Sequence, residues 1–374
     1  MRLRLALHVQ RTVAGCFLLL SVGSPARADD GYDLWLRYRA VADVARLTEY
    51  RAAISHIVVE GDSPSLAIVR EELASGLRGL LDRDIPIESK PLRAGAIIAG
   101  TRASSPLIAA LPLTADLRAV GREGYLLRAI TVRGKPAIVI AANSDIGVVY
   151  GTFALLRQLQ TERSVKRLAI ASAPRVLLRM LDHWDNLDRT VERGYAGGSI
   201  WEWTQLPGSL SPRYRDYARA NAAIGINAVL LTNPRANARV LTPEYLRKAA
   251  ALADLFRPYG IRVFLTARFG APIEIGGLET ADPLDPVVRQ WWRHKVDEVY
   301  AVIPDFAGFV VQADAEGQPG PEDYERTHAD GANLLADAIV PHGGVVIWRA
   351  YMSGNRTSPD RVREIYDEFV PLDG

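Results

Sequence analysis

The sequence has little of several features that would identify a protein class. It contains one cysteine, Cys16, in 374 residues, which excludes a disulfide framework and a thiolate zinc site. It has no large excess of either charge, with 45 Lys and Arg against 43 Asp and Glu. This balance gives no electrostatic support for binding to nucleic acid or to an anionic membrane, so neither partner is predicted.

The first 28 residues have the layout of a secretion signal. Arg2, Arg4 and Arg11 form a basic start, "TVAGCFLLLSVG" is a short apolar core, and "ARA" at 26–28 is a small-x-small cleavage site. The apolar run is too short to span a bilayer. Without this segment the chain has no cysteine and 41 basic against 43 acidic residues. We therefore expect a signal peptide at 1–28 and a secreted or periplasmic protein.

Motifs of several enzyme classes are also absent from the sequence. No histidine pair has the spacing of a zinc-binding helix, no glycine-rich phosphate loop follows an apolar run, and no Gly-x-Ser-x-Gly elbow occurs. His294 and His328 lie in predicted helices among charged residues, which favours solvated side chains. The sequence therefore predicts no metal and no other cofactor, and it argues against serine-hydrolase chemistry.

The segment 29–165 has the pattern of a small α/β domain. Three short β-branched runs that end in Gly or Asn are typical of buried strands: "ISHIVVEG", "AGAIIAGT" and "PAIVIAAN". A helix is predicted after the third run, capped near Asn143 or Ser144, with apolar residues at helical spacing from Ile146 to Leu156. A polar stretch followed by proline places the domain boundary near residue 165.

From 166 to 374 the pattern changes to alternating strands and helices. The predicted strands are "RMLD", "NAVLLT", "RVFLTA", "AGFVVQ" and "GVVIWR". One intervening helix has Thr242 as its N-cap and Pro243 at its first position. Such βα units predict a parallel sheet, and at this length a barrel, which needs eight strands, is favoured over an open sheet. The predicted fold is α/β: a small N-terminal α/β domain followed by an incomplete (β/α)8 TIM barrel of about five βα units.

Chemistry in a barrel is expected in the loops that follow the strands. Those loops contain "LDHWDN", "TNPRAN", "ARFGAP" and "QADAEGQPGP", and Arg349 follows the fifth strand. Acids, amides, arginines and tryptophan at a barrel mouth are typical of carbohydrate sites, where acids move protons and aromatic faces stack on sugars. Asp314 and Glu316 are two residues apart, and the strand period of two would point both carboxylates to the same side.

Each of these features also has a purely structural interpretation. Asp314 and Glu316 are equally typical of an ordinary loop, since loops are polar by default. Trp184, between His183 and Asp185, would equally pack the barrel rim. The segment "GYAGGSIWEW" would equally be a glycine loop that ends in two core tryptophans. The residues alone leave these alternatives open.

Five segments, taken in order, resemble the α-glucuronidases of glycoside hydrolase family 67: "DGYDLWLRY", "GVVYGTFALLRQLQT", "RMLDHWDNLDRTVERGYAGGSIWEW", "QADAEGQPGP" and "YDEFVPLDG". The resemblance implies an N-terminal α/β domain, a catalytic (β/α)8 barrel and a helical C-terminal domain. It also implies inverting hydrolysis that removes glucuronic acid, or its 4-O-methyl ether, from xylo-oligosaccharide side chains during xylan degradation.

The resemblance assigns roles to individual residues. It implies that Glu316 is the general acid that protonates the leaving oxygen. It also implies that Trp184 stacks beneath the uronic acid and that Arg349 meets its carboxylate. The further residues expected to bind substrate are Gln312, Asp314, Asp185, Asn233 and Arg268.

The chain departs from the family pattern in three respects. Gln312 stands where family members commonly have lysine, so part of the positive charge around the substrate carboxylate is absent. "TNPR" stands where the family has Asn-Asn-Val-Asn, which brings Pro234 and Arg235 to the floor of the sugar pocket. The family's Lys-Asn-Gly-Pro-x-Asp motif and a later Glu, which supply the catalytic base, are not found, so we expect the chain to be a fragment.

Three functions remain as hypotheses. The leading one is an α-glucuronidase that acts on aldouronic acids. A non-catalytic carbohydrate-binding protein is the alternative that Gln312 and the missing base favour. A hexosaminidase-like glycosidase is the alternative that a small α/β domain before a barrel favours. The methyl-ether preference and oligosaccharide length stay open, and so does the oligomeric state, for which a homodimer of the full-length protein is one alternative.

Overall fold

The computed structural model describes residues 30–89 and 93–350, together with the single positions 363, 367 and 369. The predicted signal peptide at 1–28 and most of the "YDEFVPLDG" segment lie outside these described residues. The chain divides into two units, Met1–Leu34 and Trp35–Gly374, and all the described strands belong to the second. Among the helices that the structure describes, none has the length and apolar character needed to cross a membrane.

A mixed five-stranded sheet forms the first part of this unit, in the order β1-β2-β4-β3-β5. Its strands are β1 (His56–Val59), β2 (Ala96–Thr101), β3 (Tyr125–Val132), β4 (Lys135–Ala142) and β5 (Ala169–Ser172). Its helices are α1 (Val44–Ala53), α2 (Pro64–Leu81), α3 (Pro106–Ala109), α4 (Thr114–Val120) and α5 (Asp145–Gln160). The three predicted strands are β1, β2 and β4. The predicted helix is α5, capped by Ser144, whose side chain accepts from the N–H of Gly147.

Two strands of this sheet, β3 and β5, are not evident from the sequence pattern. Arg128 interrupts the apolar run of β3, which pairs antiparallel with β4 across a turn at Arg133 and Gly134. The edge strand β5 pairs antiparallel with β3 and is only partly buried, so it needs few apolar residues. The first sheet therefore takes its last strand from beyond the predicted boundary near residue 165.

The second sheet has five parallel strands in the order β10-β9-β8-β7-β6. These strands are β6 (Met180–Asp182), β7 (Ala228–Leu230), β8 (Arg262–Thr266), β9 (Gly308–Ala313) and β10 (Val345–Ala350). The helices are α6 (Pro212–Ala223), α7 (Pro243–Phe256), α8 (Ala271–Glu274), α9 (Pro286–Val302) and α10 (His328–Ile339). All five predicted strands are present. The predicted α/β fold, with a small sheet domain followed by part of a parallel barrel, is confirmed.

Strands β7 and β9 of the second sheet are buried on both faces. In β7, Val229 belongs to the large core that also contains the inner faces of α6 and α7. Leu230 belongs to a separate cluster with Phe264 and Val310 on the other face of the sheet. The large core also contains buried residues of α2 and α5, so the two sheets are joined through one continuous layer of helices.

A buried ion pair links α2 to α6 across this layer. Arg219 donates to both carboxylate oxygens of Glu72, with 2.9 Å between Nη2 and Oε2. Tyr38 donates to the same Oε2 at 3.3 Å, and the Arg219 guanidinium lies 5.6 Å from the centre of the Tyr38 ring. Only 6% of the Glu72 side chain and 23% of the Arg219 side chain are exposed, so the loss of either partner leaves a largely desolvated charge unpaired.

Glu72→Gln is expected to lower the free energy of unfolding by about 3 kcal/mol, because it leaves Arg219 without its buried counter-ion. Urea denaturation followed by circular dichroism measures this change. Glu71→Gln is the matched control, since Glu71 is the exposed neighbour on the same helix and should change stability by less than about 0.5 kcal/mol. Equal effects of the two substitutions would contradict a role for the ion pair.

Candidate functional site

The carboxyl ends of the five parallel strands meet at one edge of the second sheet, which is the active-site face in barrel enzymes. At this edge Trp184 follows β6, Asn233 follows β7, Arg268 follows β8, Glu316 follows β9, and Arg349 lies on β10. Side-chain contacts join four of the predicted residues: Trp184, Gln312, Glu316 and Arg349. Asn233 contacts Trp184 through the main-chain carbonyl of that residue.

Glu316 lies beyond the end of β9 in a turn with left-handed backbone. Its φ is 53°, and that of Gly317 is 75°. Its Oε1 lies 2.9 Å from Arg193 Nη2, and its Oε2 lies 3.2 Å from Arg235 Nη1. Gln312 Nε2 also donates to Oε2 at 3.4 Å. Each oxygen of the carboxylate is therefore paired with a guanidinium group, while 25% of the side chain remains exposed.

Glu192 completes an acid–arginine cluster that consists of Glu192, Arg193, Arg235 and Glu316. Arg235 Nη2 donates to Glu192 Oε1 at 3.0 Å, and Arg193 Nε lies 3.5 Å from the same oxygen. The Glu192 side chain is only 13% exposed. Glu192 and Arg193 are site residues that the sequence pattern does not identify. The sequence feature that could have identified these two residues is a pair of charges directly before a turn at Gly194, in the loop after a barrel strand.

Trp184 is half-buried, and two guanidinium groups lie near its ring. The guanidinium carbon of Arg349 is 5.1 Å from the ring centre and that of Arg235 is 6.0 Å from it, within the range of cation–π interactions. Arg349 Nη1 also donates to Gln312 Oε1 at 3.1 Å. Contacts thus run without interruption from Trp184 through Arg349 and Gln312 to Glu316.

Asp182, the last residue of β6, faces the same group of side chains. The residue as a whole is exposed, yet desolvation of its carboxyl raises its pKa above the ordinary value. A hydrogen bond with the Trp184 side chain and the positive charge of Arg349 act in the opposite direction but do not cancel this effect. Asp182 is therefore a further carboxyl beside Trp184.

Asn233 and Asp185 hold the loops that carry Trp184 and Glu192. Asn233 is 1% exposed, and its Nδ2 donates to the main-chain carbonyls of Trp184 at 3.4 Å and Glu192 at 3.3 Å. Asp185 is 5% exposed, and its carboxylate accepts from Ser199 Oγ at 2.5 Å. The structure uses both side chains to position their neighbours. Direct contact of either with substrate stays a prediction.

Asp314 and Glu316 have different partners, contrary to the expectation that they point to the same side. The strand ends at Ala313, and Asp314 already has a left-handed φ of 52°, so the strand period no longer sets side-chain directions. The carboxylate of Asp314 accepts from the N–H of Glu322 at 3.3 Å and lies 3.8 Å from His328 Nδ1. The shared orientation of the two acids is therefore a wrong prediction.

Arg268 joins two neighbouring loops at the same edge. It donates to Glu274 in α8 and to Gln318 in the loop after β9. These contacts connect the loops after β8 and β9, and substrate binding by Arg268 stays a prediction.

His328 is 2% exposed, so the prediction of a solvated side chain is wrong for this residue. It is the first residue of α10, and Trp348 Nε1 donates to its Nδ1 at 3.2 Å. As the first residue of α10, His328 therefore has its imidazole ring in the protein interior. His294 has a side chain that is 75% exposed, as predicted.

The end of the "GYAGGSIWEW" segment belongs to the core. Trp201 and Trp203 are 0% and 1% exposed. The Trp201 ring packs against the rings of His183, Tyr214, Tyr217 and Phe256. The interpretation of both tryptophans as core residues is confirmed, and their burial anchors the loop that carries Glu192 and Arg193.

Two family models together match nearly the whole described chain. The glycosyl hydrolase family 67 N-terminus matches residues 34–155, and the glycosyl hydrolase family 67 middle domain matches residues 158–374. The chain belongs to glycoside hydrolase family 67.

Curated relatives from fungi support this family 67 assignment. The chain is 37% identical over 367 residues to probable alpha-glucuronidase A of Neosartorya fischeri, a match that covers 96% of this chain and 42% of that protein. It is 36% identical over 354 residues to alpha-glucuronidase A of Emericella nidulans, covering 90% of this chain and 40% of that protein. The chain therefore spans less than half the length of these relatives.

Among solved structures, the family 67 chain is similar to a GH138 enzyme targeting pectin rhamnogalacturonan II. The TM-score is 0.52 at 16% sequence identity, and the match covers 84% of this chain and 36% of that one. At this level of identity the likeness concerns the fold alone.

The site of this family 67 protein combines groups of three chemical kinds. Glu316 is a carboxyl that can exchange a proton, Trp184 has an indole face on which an apolar ring surface can stack, and the arginines can bind an anion. In the described part of the chain, no group of three or more His, Cys, Asp or Glu residues is arranged to hold a metal ion.

The raised pKa of Asp182 predicts a specific pH dependence of stability. A carboxyl whose pKa is raised by folding stabilises the protein below its ordinary pKa of about 3.9, and this contribution is lost as the pH rises through the folded value. Asp182→Asn should therefore raise the melting temperature relative to wild type at pH 7. The gain should shrink as the pH falls toward 4.

Asp188→Asn is a control of opposite sign for this measurement. Hydrogen bonds from Thr190 lower the pKa of Asp188, so its contribution is present above the ordinary pKa and is lost as the pH falls. This variant should melt at a lower temperature than wild type at pH 7. If both variants shift the melting temperature in the same direction at pH 7, the role assigned to Asp182 is wrong.

Proposed function

We propose that this family 67 protein removes glucuronic acid, or its 4-O-methyl ether, from the side chains of xylo-oligosaccharides. The observation that carries the proposal is the meeting of Trp184, Glu316 and Arg349 at the carboxyl edge of the parallel sheet. This set supplies an aromatic face, a carboxyl and a cation, which a charged sugar requires. The family membership and the relatives named alpha-glucuronidase support the same substrate class.

Each residue has a role in this proposal. Trp184 supports one face of the uronic acid ring, and Arg349 binds its carboxylate with a planar guanidinium. Glu316 gives a proton to the glycosidic oxygen as the bond to the sugar breaks, because an unprotonated oxygen is a poor leaving group. For this step Glu316 has to carry a proton, which neutralises the carboxylate that pairs with Arg193 and Arg235. It therefore has to give up at least one of these two guanidinium partners. The proposal assigns the catalytic base to none of the described residues.

A non-catalytic carbohydrate-binding protein is the second candidate function. It is favoured by the two ion pairs of Glu316, with Arg193 and Arg235, because they occupy both oxygens of the proposed proton donor. In that case the same edge of the sheet would bind the uronic acid without cleaving it.

We also propose that the protein acts outside the cytoplasm. This proposal rests on the basic start, apolar core and cleavage site of residues 1–28.

Glu316→Gln tests the proposed proton donor. Release of glucuronic acid from an aldouronic acid should fall by about a hundredfold or more, since general acid catalysis contributes about 10² to 10⁴. Cleavage of an aryl glucuronide with a good leaving group should fall much less, because that group leaves without a proton. Product release is measured by chromatography.

Two outcomes of this test would redirect the proposal. Equal losses on both substrates would show that Glu316 is not the proton donor. Binding of glucuronate by wild type without any hydrolysis, measured by titration calorimetry, would favour the binding function.

A further inference from the structure

Arg235 lies in the site with its hydrogen-bonding capacity only partly used. Its main-chain N–H donates to Asn233 Oδ1 at 2.9 Å, which fixes it at the start of the loop after β7. Its guanidinium pairs with Glu192 at 3.0 Å and with Glu316 at 3.2 Å, and only 14% of the side chain is exposed. Its Nε is buried and has no hydrogen-bond partner among the described residues. A guanidinium has five N–H donors, so Arg235 has donors to spare.

Arg235 and Arg349 are both placed close to Trp184. Their guanidinium carbons lie 6.0 Å and 5.1 Å from the centre of the indole ring. A uronic acid that stacks on this ring would therefore have its carboxylate within reach of two cations. Arg235 comes from the loop after β7, and Arg349 comes from β10.

Gln312 links the side chains at this site but adds no charge. Its Oε1 accepts from Arg349 and its Nε2 donates to Glu316. The positive charge beside Trp184 therefore comes from Arg235 and Arg349 and not from position 312.

The charged groups around the site balance one another. Asp182 and Arg349 come from β6 and β10, and the acid–arginine cluster comes from the loops after β6, β7 and β9. These are three carboxyl groups and three guanidinium groups. A carboxylate ligand that enters must therefore compete with a carboxylate that is already paired. Of the two acids that pair with Arg235, Glu316 is the more exposed, with 25% of its side chain exposed against 13% for Glu192.

We propose that Arg235 is a second cation, beside Arg349, for the substrate carboxylate, and that Glu316 occupies Arg235 until the substrate displaces it. This inference rests on the proposed function and adds a specificity-determining residue to it. When the substrate carboxylate replaces the carboxylate of Glu316, the positive charge of Arg235 still has a counter-ion. The exchange also frees Glu316 from one of the two partners that a proton donor has to give up.

Binding of glucuronate and of its neutral amide, glucuronamide, to the 374-residue chain separates recognition of charge from recognition of the ring. Arg235→Asn should lower the affinity for glucuronate by about 10- to 100-fold, which is the contribution of a charge-assisted hydrogen bond. It should leave the affinity for glucuronamide unchanged. Adding Gln312→Lys to this variant should restore most of the affinity for glucuronate. Titration calorimetry measures both ligands.

Two further variants complete the design. Glu316→Gln should raise the affinity for glucuronate several-fold, because the neutral glutamine side chain no longer competes with the ligand for Arg235. It should not change the affinity for glucuronamide. Arg239→Asn is the matched control, since Arg239 is an exposed arginine four residues further on whose guanidinium lies 5.5 Å from the centre of the Tyr245 ring. It should change neither affinity.

The inference alone is overturned if Arg235→Asn leaves glucuronate affinity unchanged while Arg349→Gln abolishes it. It is also overturned if Arg235→Asn weakens both ligands equally, because the effect would then be structural. An unchanged glucuronate affinity in Glu316→Gln would refute the displacement of Glu316. If wild type binds neither ligand, the proposed function itself fails, and the inference fails with it.

Discussion

The curvature of the parallel sheet is the constraint on which the candidate site depends. Strands β6 and β10 are the two edges of this five-stranded sheet, and in a flat sheet four strand spacings of about 4.8 Å would separate them. Yet Arg349, on β10, lies 5.1 Å from the ring of Trp184, which follows β6. The sheet has to curl for residues from its two edges to meet. Twist and helices packed on the outer face favour that curl.

The side chains at the mouth are held by loops that are themselves anchored in the core. Asn233 binds two main-chain carbonyls, and Trp201 is fully buried at the far end of the loop that carries Glu192 and Arg193. The Asn233 hydrogen bonds satisfy buried carbonyl groups, and together with the buried Trp201 ring they fix the loop at two points. Long arginine side chains lose considerable rotamer entropy when they are held in one geometry. The cluster therefore needs loops whose main chain is already fixed by other contacts.

Local sequence patterns predicted the strands and helices that are buried, but not the details that depend on distant residues. The runs of β8 and β9 are continuous and apolar, so their burial is evident, whereas the edge strand β5 is half-exposed and carries a weak pattern. The direction of Asp314 could not be predicted, because its left-handed φ is set by the turn and not by the strand period. The partners of Glu316 come from two other loops, so no local pattern contains them.

The electrostatics of the site explain why an acid and several arginines occur together. A site that binds an anion needs cations, and partly buried cations are unstable unless a counter-ion is present when the ligand is absent. In this chain Glu316 and Glu192 provide that counter-charge. Under the proposed function, a carboxyl that already lies among the cations is also next to the bound sugar. The physical requirement that stabilises these cations in the absence of ligand would then also place a proton-exchanging group beside the glycosidic bond.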